Sequence, residues 1–408
     1  MMPKRIRRSP GQFVRNALNK YSTPEIQEIV EQLLAHIGRK DSLLIFERCF
    51  KVKTCLTDAM GMFMPALTIQ LCINSAAIGS MQQTSKSIRQ SIVRSAPRLY
   101  VCNGFDGEGK VSKSVEAFDP LRGSWDVLPN TLIRRASACS AIIGDQLYVL
   151  GGASLGLGKT MERLSLGTSN KKWEAMPSMK VSRFCASATS LGGKLYVCGG
   201  RSDQDKWSYL KSAESFDPAG NCGKGEWRTL PEMSEERWGC VVTALNGQLF
   251  VSGGSNPLVL ASAECYEPAE RRWIMISPMG QDRCNHAACN NCGQIYVCGG
   301  LANNSSHQSL SSVERYSPET ESWDNLPSMS RPRMGHTMVI CYGQIYVLGG
   351  RARLTDIREE PEDVTPKESS PDGSSFTMEV FDPSENCWKS LASMRSSHYY
   401  HTCVSSWT

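Results

Sequence analysis

Tyr342-Gly343-Gln344-Ile345-Tyr346-Val347-Leu348-Gly349-Gly350 is the stretch that decides the fold. A glycine turn starts a short apolar strand, and two glycines stop it, because only glycine takes positive φ freely on both sides of such a step. The same sentence is written six times. The apolar runs are 99–102, 147–150, 195–198, 249–252, 295–298 and 345–348. They end at Asn103-Gly104, Gly151-Gly152, Gly199-Gly200, Gly253-Gly254, Gly299-Gly300 and Gly349-Gly350, spaced 48, 48, 54, 46 and 50 residues apart. A period of this length marks a repeat architecture in which each unit buries its faces only by stacking on its neighbours.

Working outward, other residues keep the same register. A tryptophan marks each unit: Trp125, Trp173, Trp227, Trp273, Trp323 and Trp388. Ten residues after the first five stand Arg135, Arg183, Arg237, Arg283 and Arg333; in the last unit His398 takes that place. Six residues after the last five tryptophans stand Met179, Met233, Met279, Met329 and Met394, and thirteen after the last three stand His286, His336 and His401. A glutamate precedes an aromatic-Asp-Pro turn, as in Glu116 with Phe118-Asp119-Pro120, Glu214 with Phe216-Asp217-Pro218 and Glu379 with Phe381-Asp382-Pro383. This spacing predicts four short antiparallel strands per unit: one after the arginine, one ending at the glycines, one with the glutamate and one with the tryptophan. Six such sheets stacked around an axis make an all-β, six-bladed β-propeller.

The paired glycines, the glutamate, the aromatic-Asp-Pro turn, the spaced tryptophan and the Met-Pro-x-x-Arg-like approach together resemble the kelch repeats, over roughly residues 98–407. The first unit lacks a first strand, and a surplus one follows Trp388, with His398, His401 and the run 402–407. The expectation is a kelch-type propeller closed by its carboxy-terminal strand, which completes the first blade from about 399–407 and leaves no open edge. The expected division is a basic tail over 1–20, a partly helical amino-terminal region over 21–97, and the propeller over 98–408.

Charge divides the chain in the same place. Residues 1–97 hold 14 Lys/Arg against 6 Asp/Glu, a net of +8; the remainder holds 31 against 34, a net of −3. The repeat region therefore does not read as a nucleic-acid surface. The 17 cysteines are odd in number and sit singly inside candidate strands, which reads as reduced, buried thiols in a cytoplasmic protein, with the nucleus as the alternative. No signal peptide is legible. The apolar stretch 59–79 is interrupted by Pro65, Gln70 and Asn74, so a membrane span is not expected. Ser22-Thr23-Pro24-Glu25 is a helix start, and Ile26, Ile29, Val30, Leu33, Leu34 and Ile37 share one face before Gly38.

Framework motifs explain the fold; the loops between them carry what is individual. The loops after the glycine pairs emerge on one face. That of 201–211 carries Arg201, Trp207 and Tyr209, residue types that anchor interfaces, although they also pack between blades. That of 351–377 is the longest and carries Glu359, Glu360, Glu362 and Asp363; it reads either as an acidic recognition loop or as a solvated insertion. Kelch relatives use arginines at the upper channel mouth to bind acidic peptides. The resemblance therefore offers Arg135, Arg183, Arg237, Arg283 and Arg333 as a binding ring, while their strict recurrence favours a structural task on carbonyls or a carboxylate.

Chemistry is not expected. Cys284, His286, Cys289 and Cys292 suggest zinc, but they match ordinary strand and turn positions in other units and alternate between sheet faces. Gly156-Leu157-Gly158-Lys159-Thr160 lacks the spacing and strand-to-helix context of a phosphate loop. No catalytic residue, metal or cofactor is assigned. The resemblance implies a non-enzymatic protein-interaction module. Many such propellers are substrate receptors of cullin-type ubiquitin ligases; the first 97 residues are too few for the usual domain pair and show no F-box pattern. The alternatives are an actin-associated or other scaffold, and an enzyme or small-ligand binder using the channel mouth.

Overall fold

The computed structural model describes residues 97–406 apart from 107, 153–155, 304–308, 353–376, 392–393 and 396–397. The chain divides into two units, Met1–Ala96 and Pro97–Thr408. The second is built of four-stranded antiparallel sheets. The first sheet holds β1 (Arg98–Cys102), β2 (Val115–Asp119) and β3 (Ser124–Leu128). The second runs β4 (Cys139–Ile143), β5 (Gln146–Leu150), β6 (Met161–Ser165) and β7 (Trp173–Met176). The third runs β8 (Ser187–Leu191) and β9 (Lys194–Cys198), then, after a small hairpin of β10 (Arg201–Ser202) and β11 (Ser208–Tyr209), β12 (Ala213–Asp217) and β13 (Glu226–Thr229). The fourth holds β14 (Val241–Leu245), β15 (Gln248–Ser252), β16 (Ala263–Glu267) and β17 (Arg272–Ile276). The fifth holds β18 (Ala287–Asn291), β19 (Gln294–Cys298), β20 (Val313–Ser317) and β21 (Ser322–Leu326). The sixth holds β22 (Thr337–Cys341), β23 (Gln344–Leu348), β24 (Met378–Asp382) and β25 (Cys387–Leu391). The last strand, β26 (Thr402–Ser406), lies in the first sheet, antiparallel to β1, with Arg98 opposite Ser406 and Cys102 opposite Thr402.

The inner strands β26, β4, β8, β14, β18 and β22 follow one another around an axis. Where each begins, one residue sits in the left-handed region: Ser137, Cys185, Gly239, Asn285, Gly335 and Tyr400, with φ between 49° and 66°. Their backbones make a ring of hydrogen bonds from blade to blade. Cys185 N–H donates to Ser137 O (3.0 Å), Gly239 to Cys185 (2.9 Å) and Asn285 to Gly239 (2.8 Å). Gly335 donates to Asn285 (3.0 Å), Tyr400 to Gly335 (2.8 Å) and Ser137 to Tyr400 (2.9 Å). Such groups have no partner inside their own sheet, and the ring satisfies them. The glycine pairs make a second set of links. The second member donates to the carbonyl that heads the next blade, as Gly152 does to Arg183 (2.8 Å) and Gly200 to Arg237 (2.8 Å). Gly151 needs to be glycine twice over: its φ is 70°, and a Cβ would stand 2.8 Å from the Arg183 carbonyl oxygen.

The core lies between blades. Leu99, Val101 and Phe118 of the first sheet pack with Val339, Tyr346, Leu348 and Val380 of the sixth. Each tryptophan plays two parts. Its ring packs on the third-strand aromatic, as in Phe216 with Trp227 (5.1 Å) and Tyr266 with Trp273 (5.0 Å). Its Nε1 donates to the preceding blade: Trp173 to Pro129 O and Trp227 to Pro177 O, both 2.8 Å, and Trp273 to Pro231 O at 2.9 Å. The five register methionines are buried beneath the approach loops.

Two parts of the expected fold are corrected. No sheet closes on itself. Each ends in an outer strand, β3, β7, β13, β17, β21 or β25, with no further strand paired to it among the described residues. Blades stacked face to face bury their faces and leave their outer edges open, so the expected absence of open edges does not hold. The described residues also contain no amino-terminal helix; the one expected over 22–38 lies outside them.

Candidate interaction face

The five register arginines are buried, four of them completely. Each spends all its donors within its own blade. Arg283 Nε and Nη2 donate to Glu314 Oε1 (3.2 and 2.8 Å), Nη1 to the carbonyls of Gly299 (2.9 Å) and Ser312 (3.0 Å), and Nη2 also to Ser312 Oγ (2.8 Å). Arg135 does the same with Glu162, Arg183 with Glu214, Arg237 with Glu264 and Arg333 with Glu379. The glutamate also accepts backbone N–H groups from the approach loop, as Glu314 does from Gly280 (2.6 Å) and Gln281 (3.2 Å). A buried ion pair is tolerable only when every lone pair and proton is matched in this way. The arginine carbonyl meanwhile accepts from the glycine pair of the blade before. These arginines are stitches between framework elements, with no donor left over for a guest.

The histidines of the repeat are also framework. His286 Nε2 lies 3.1 Å from Ser252 Oγ, His336 Nε2 3.2 Å from Cys298 Sγ, and His401 Nε2 2.9 Å from Thr337 Oγ1, each a bridge to the preceding blade. Burial, with the Arg283 and Arg333 charges adding to it, pulls His286 and His336 down to about 3. Burial pulls His401 well below the usual histidine range. All three are neutral imidazoles at physiological pH.

His286 is thus turned toward Ser252, Cys284 and Cys289 are buried, and Cys292 is exposed, so the four residues considered for zinc do not converge. Among the described residues no three His, Cys, Asp or Glu side chains are arranged to hold a metal ion. Every described cysteine is a free thiol. Burial pushes Cys139 and Cys298 up to about 12, which keeps them protonated. The stretch Gly156 to Thr160 leads into β6, not into a helix. Among the described residues no helix is long and apolar enough to cross a membrane; the stretch 59–79 lies outside them.

What the framework leaves free lies on the face where the inner strands begin. Arg201, Trp207 and Tyr209 form one unit on the β10–β11 hairpin. Arg201 Nε donates to Trp207 O (2.9 Å), and its guanidinium lies 5.9 Å from the Trp207 ring and 5.0 Å from that of Tyr209. The Ser208 N–H closes the turn on Asp205 O at 2.8 Å, with Lys206 (φ 45°) and Trp207 (φ 61°) both left-handed. Glycine and asparagine normally fill such positions. A lysine and a tryptophan there cost about 1–2 kcal/mol each. Trp207 packs on Phe184 (5.0 Å) and is still 40% exposed.

A second group was not legible in the sequence. Arg351 lies 3.7 Å above the Tyr399 ring, Tyr399 stacks on Phe105 at 5.0 Å, and Tyr400 meets Phe105 edge-on at 6.5 Å. Arg351 Nε and Nη1 have no hydrogen-bond partner. Tyr400 is the one large side chain on the ring of six left-handed residues, and it lies against Gly335. Comparing Tyr399-Tyr400 with Phe184-Cys185 and Trp238-Gly239 in register is the signal that finds this group. Below the ring, the inner strands line a central cavity of about 170 Å³. Glu359 and Glu360, with the acidic loop they belong to, lie outside the described residues.

A six-bladed propeller with this Arg–Glu stitch, glycine pair and tryptophan defines a class of repeat domain, and the comparisons place the chain in it. The KLHDC2/KLHL20/DRC7 Kelch-repeats domain matches residues 89–300, and the Kelch motif matches 282–330 and 332–395. The chain belongs to the kelch-repeat family. It is 35% identical over 80 residues to human Kelch-like protein 30, covering 18% of this chain and 14% of that one. It is 36% identical over 81 residues to alpha-scruin of Limulus polyphemus, covering 19% and 9%. It is 24% identical over 182 residues to human Kelch-like protein 23, covering 44% and 30%. The chain thus spans less than a third of the length of these relatives in the matched regions. Among solved structures it superposes on YjhT with a TM-score of 0.57 at 17% identity, over 68% of this chain and 89% of that one, a likeness of fold.

Proposed function

We propose that the propeller is a non-enzymatic protein-interaction module whose partner docks on the face where the inner strands begin. The observation that carries this reading is the pairing of an exposed, strained Trp207 under Arg201 with the Arg351–Tyr399–Phe105 stack. Tryptophan, tyrosine and arginine anchor interfaces because they bury large areas at low entropic cost while offering donors. Backbone strain held at an exposed hairpin tip contributes nothing to the framework and is typical of binding segments. Within this reading, the likeness to kelch-like proteins supports a receptor that presents its partner to a cullin-type ligase; an actin-associated scaffold is the rival.

Affinity capture with the full chain tests it. Partners captured by the wild type should be lost with Trp207→Ser combined with Tyr399→Ala, and kept with Val127→Ala on the outer strand of the first blade. Co-capture of a cullin favours the receptor, and co-sedimentation with actin filaments favours the scaffold. Identical capture by all three proteins overturns the docking face.

A further inference from the structure

Between the loop that precedes β6 and the β10–β11 hairpin lies a pocket of about 370 Å³, lined by Gly156, Lys159, Ser182, Asp203 and Gln204. It belongs to neither arginine–aromatic group. Its floor holds a serine hydroxyl beside a carboxylate. Ser182 is only 2% exposed, and its hydroxyl serves the Asp203 carboxylate. Asp203 Oδ2 accepts the Gly156 N–H at 2.8 Å, while its Oδ1 is also buried. Ser182 is held in place by its own N–H, which donates to Gln204 Oε1 (3.3 Å), and Gln204 N–H in turn donates to Ser202 Oγ (3.3 Å). Gly158 leaves no room for a side chain over the Ser182 hydroxyl.

A carboxylate oxygen takes two donors, and a serine oxygen keeps its lone pairs once its proton is given away, so both can still accept from a guest. Asp203 is charged at neutral pH. Burial alone raises its carboxyl, but Ser182, the Gly156 N–H and the Lys159 charge together hold it below the usual range. The pocket thus presents a fixed carboxylate oxygen and a fixed hydroxyl, open to one side, with Trp207 on the turn of the same hairpin. The guest they fit is a cation with several N–H donors. With the Ser182 proton committed to Asp203, an anionic guest would meet those two oxygens head-on, with only the Lys159 side chain in its favour. Lys159 sits on a four-carbon stem, so it can swing away, while the floor cannot.

We infer that this pocket is a socket for a lysine or arginine side chain of the partner, seated on Asp203 Oδ1 and Ser182 Oγ. The inference rests on the reading that this face docks a protein, and it adds the charge of one contacting residue. The two substitutions that follow have opposite signs. Asp203→Asn keeps the acceptor for Gly156 and removes the charge; Lys159→Ala removes the competing cation.

The test is peptide selection on the full-length protein from a random peptide library, followed by affinity measurement of the enriched peptides and of copies with the basic residue changed to alanine. The expected result is an enriched lysine or arginine whose removal weakens binding about tenfold, equivalent to about 1.4 kcal/mol. Asp203→Asn should abolish that preference, and Lys159→Ala should strengthen it. Unchanged unfolding curves for both variants exclude a folding defect as the cause. Peptides that bind through Trp207 but keep the same basic preference with Asp203→Asn overturn the socket and leave the docking face standing. Enrichment of acidic residues that depends on Lys159 overturns the socket in the opposite sense. No enrichment over a control surface overturns both.

Discussion

Five blades hold the glutamate of their third strand with an arginine; the blade made of β26, β1, β2 and β3 faces Glu116 with His398, whose Nε2 lies 4.0 Å from Glu116 Oε2. The contrast extends one turn inward. The residue three places after the arginine position is Ala138, Ala186 or Cys240 in the second, third and fourth blades, and His286, His336 or His401 in the fifth, sixth and first. The His398 and His401 rings are 5.9 Å apart. One half of the ring is therefore insensitive to protons. The other half, which contains the blade assembled from distant parts of the chain, holds buried imidazoles. An arginine stitch is always charged and fills five donor positions. An imidazole offers two at most, and only when it carries a charge.

Removing a stitch from the insensitive half should have the largest effect. Arg183→Ala deletes five hydrogen bonds and strands the Glu214 carboxylate, itself 1% exposed, in the interior. Breaking a buried pair from one side costs about 3–5 kcal/mol. His398→Ala should cost clearly less, about 1–2 kcal/mol, because it removes a partial stitch. Equilibrium urea unfolding of the two variants reads the difference directly. Equal losses would mean that blade position, not stitch chemistry, sets stability.

Much of this framework could be read from the chain. The glycine steps, tryptophans, methionines, arginines and histidines announce themselves by recurrence, and recurrence reports what every blade must do. The Arg–Glu partnership did not, because its members lie 27 residues apart in one blade and 46 in another, separated by loops of unequal length. Both halves of the pair recur, so matching their offsets from the glycine steps would have joined them. The stack of Arg351, Tyr399 and Phe105 was hidden for the opposite reason: it occurs once, and its members meet only through the pairing of β26 with β1. The Lys206-Trp207 turn carries no turn-forming residue at either central position, so nothing in its composition announces a hairpin.

Acid should separate the halves next. A base that the fold keeps neutral is at a disadvantage once the unfolded chain can take a proton. For His286 and His336 the stabilisation is complete above the ordinary value of 6.5 and is lost as pH falls toward about 3. Each contributes a loss of about 2 kcal/mol by pH 5. Amide exchange, corrected for the intrinsic effect of pH, should rise first in the inner strands β18, β22 and β26 and later in β4, β8 and β14. His336→Gln should flatten the fall in stability between pH 7 and 5 by about 2 kcal/mol. A uniform rise in exchange across all six inner strands would show that carboxylates, not these imidazoles, control acid unfolding.

The smallest effect is the most discriminating. His398→Arg should insert the missing stitch, because the acceptors that serve the other five arginines have counterparts here. Glu116 stands where Glu162 does, the Asn103 carbonyl where that of Gly151 does, and Ser114 where Thr160 does. Asn103 already takes the left-handed conformation of the glycine it replaces, with φ 61°, and its side chain is tied to Thr131 Oγ1 at 2.7 Å. The Asn103 carbonyl is therefore placed as its counterparts are. Buried ion pairs add little net stability even when fully matched, so the expected gain is modest, about 1 kcal/mol. The sharper readout is proton sensitivity. Burial lowers the His398 pKa against the opposing pull of Glu116, and an arginine removes that titration altogether. Exchange in β1 and β26 should then become less dependent on pH, while β18 and β22 keep their dependence through His286 and His336. A loss of stability on His398→Arg would show that the first blade is built around an imidazole and has no space for the stitch its neighbours share.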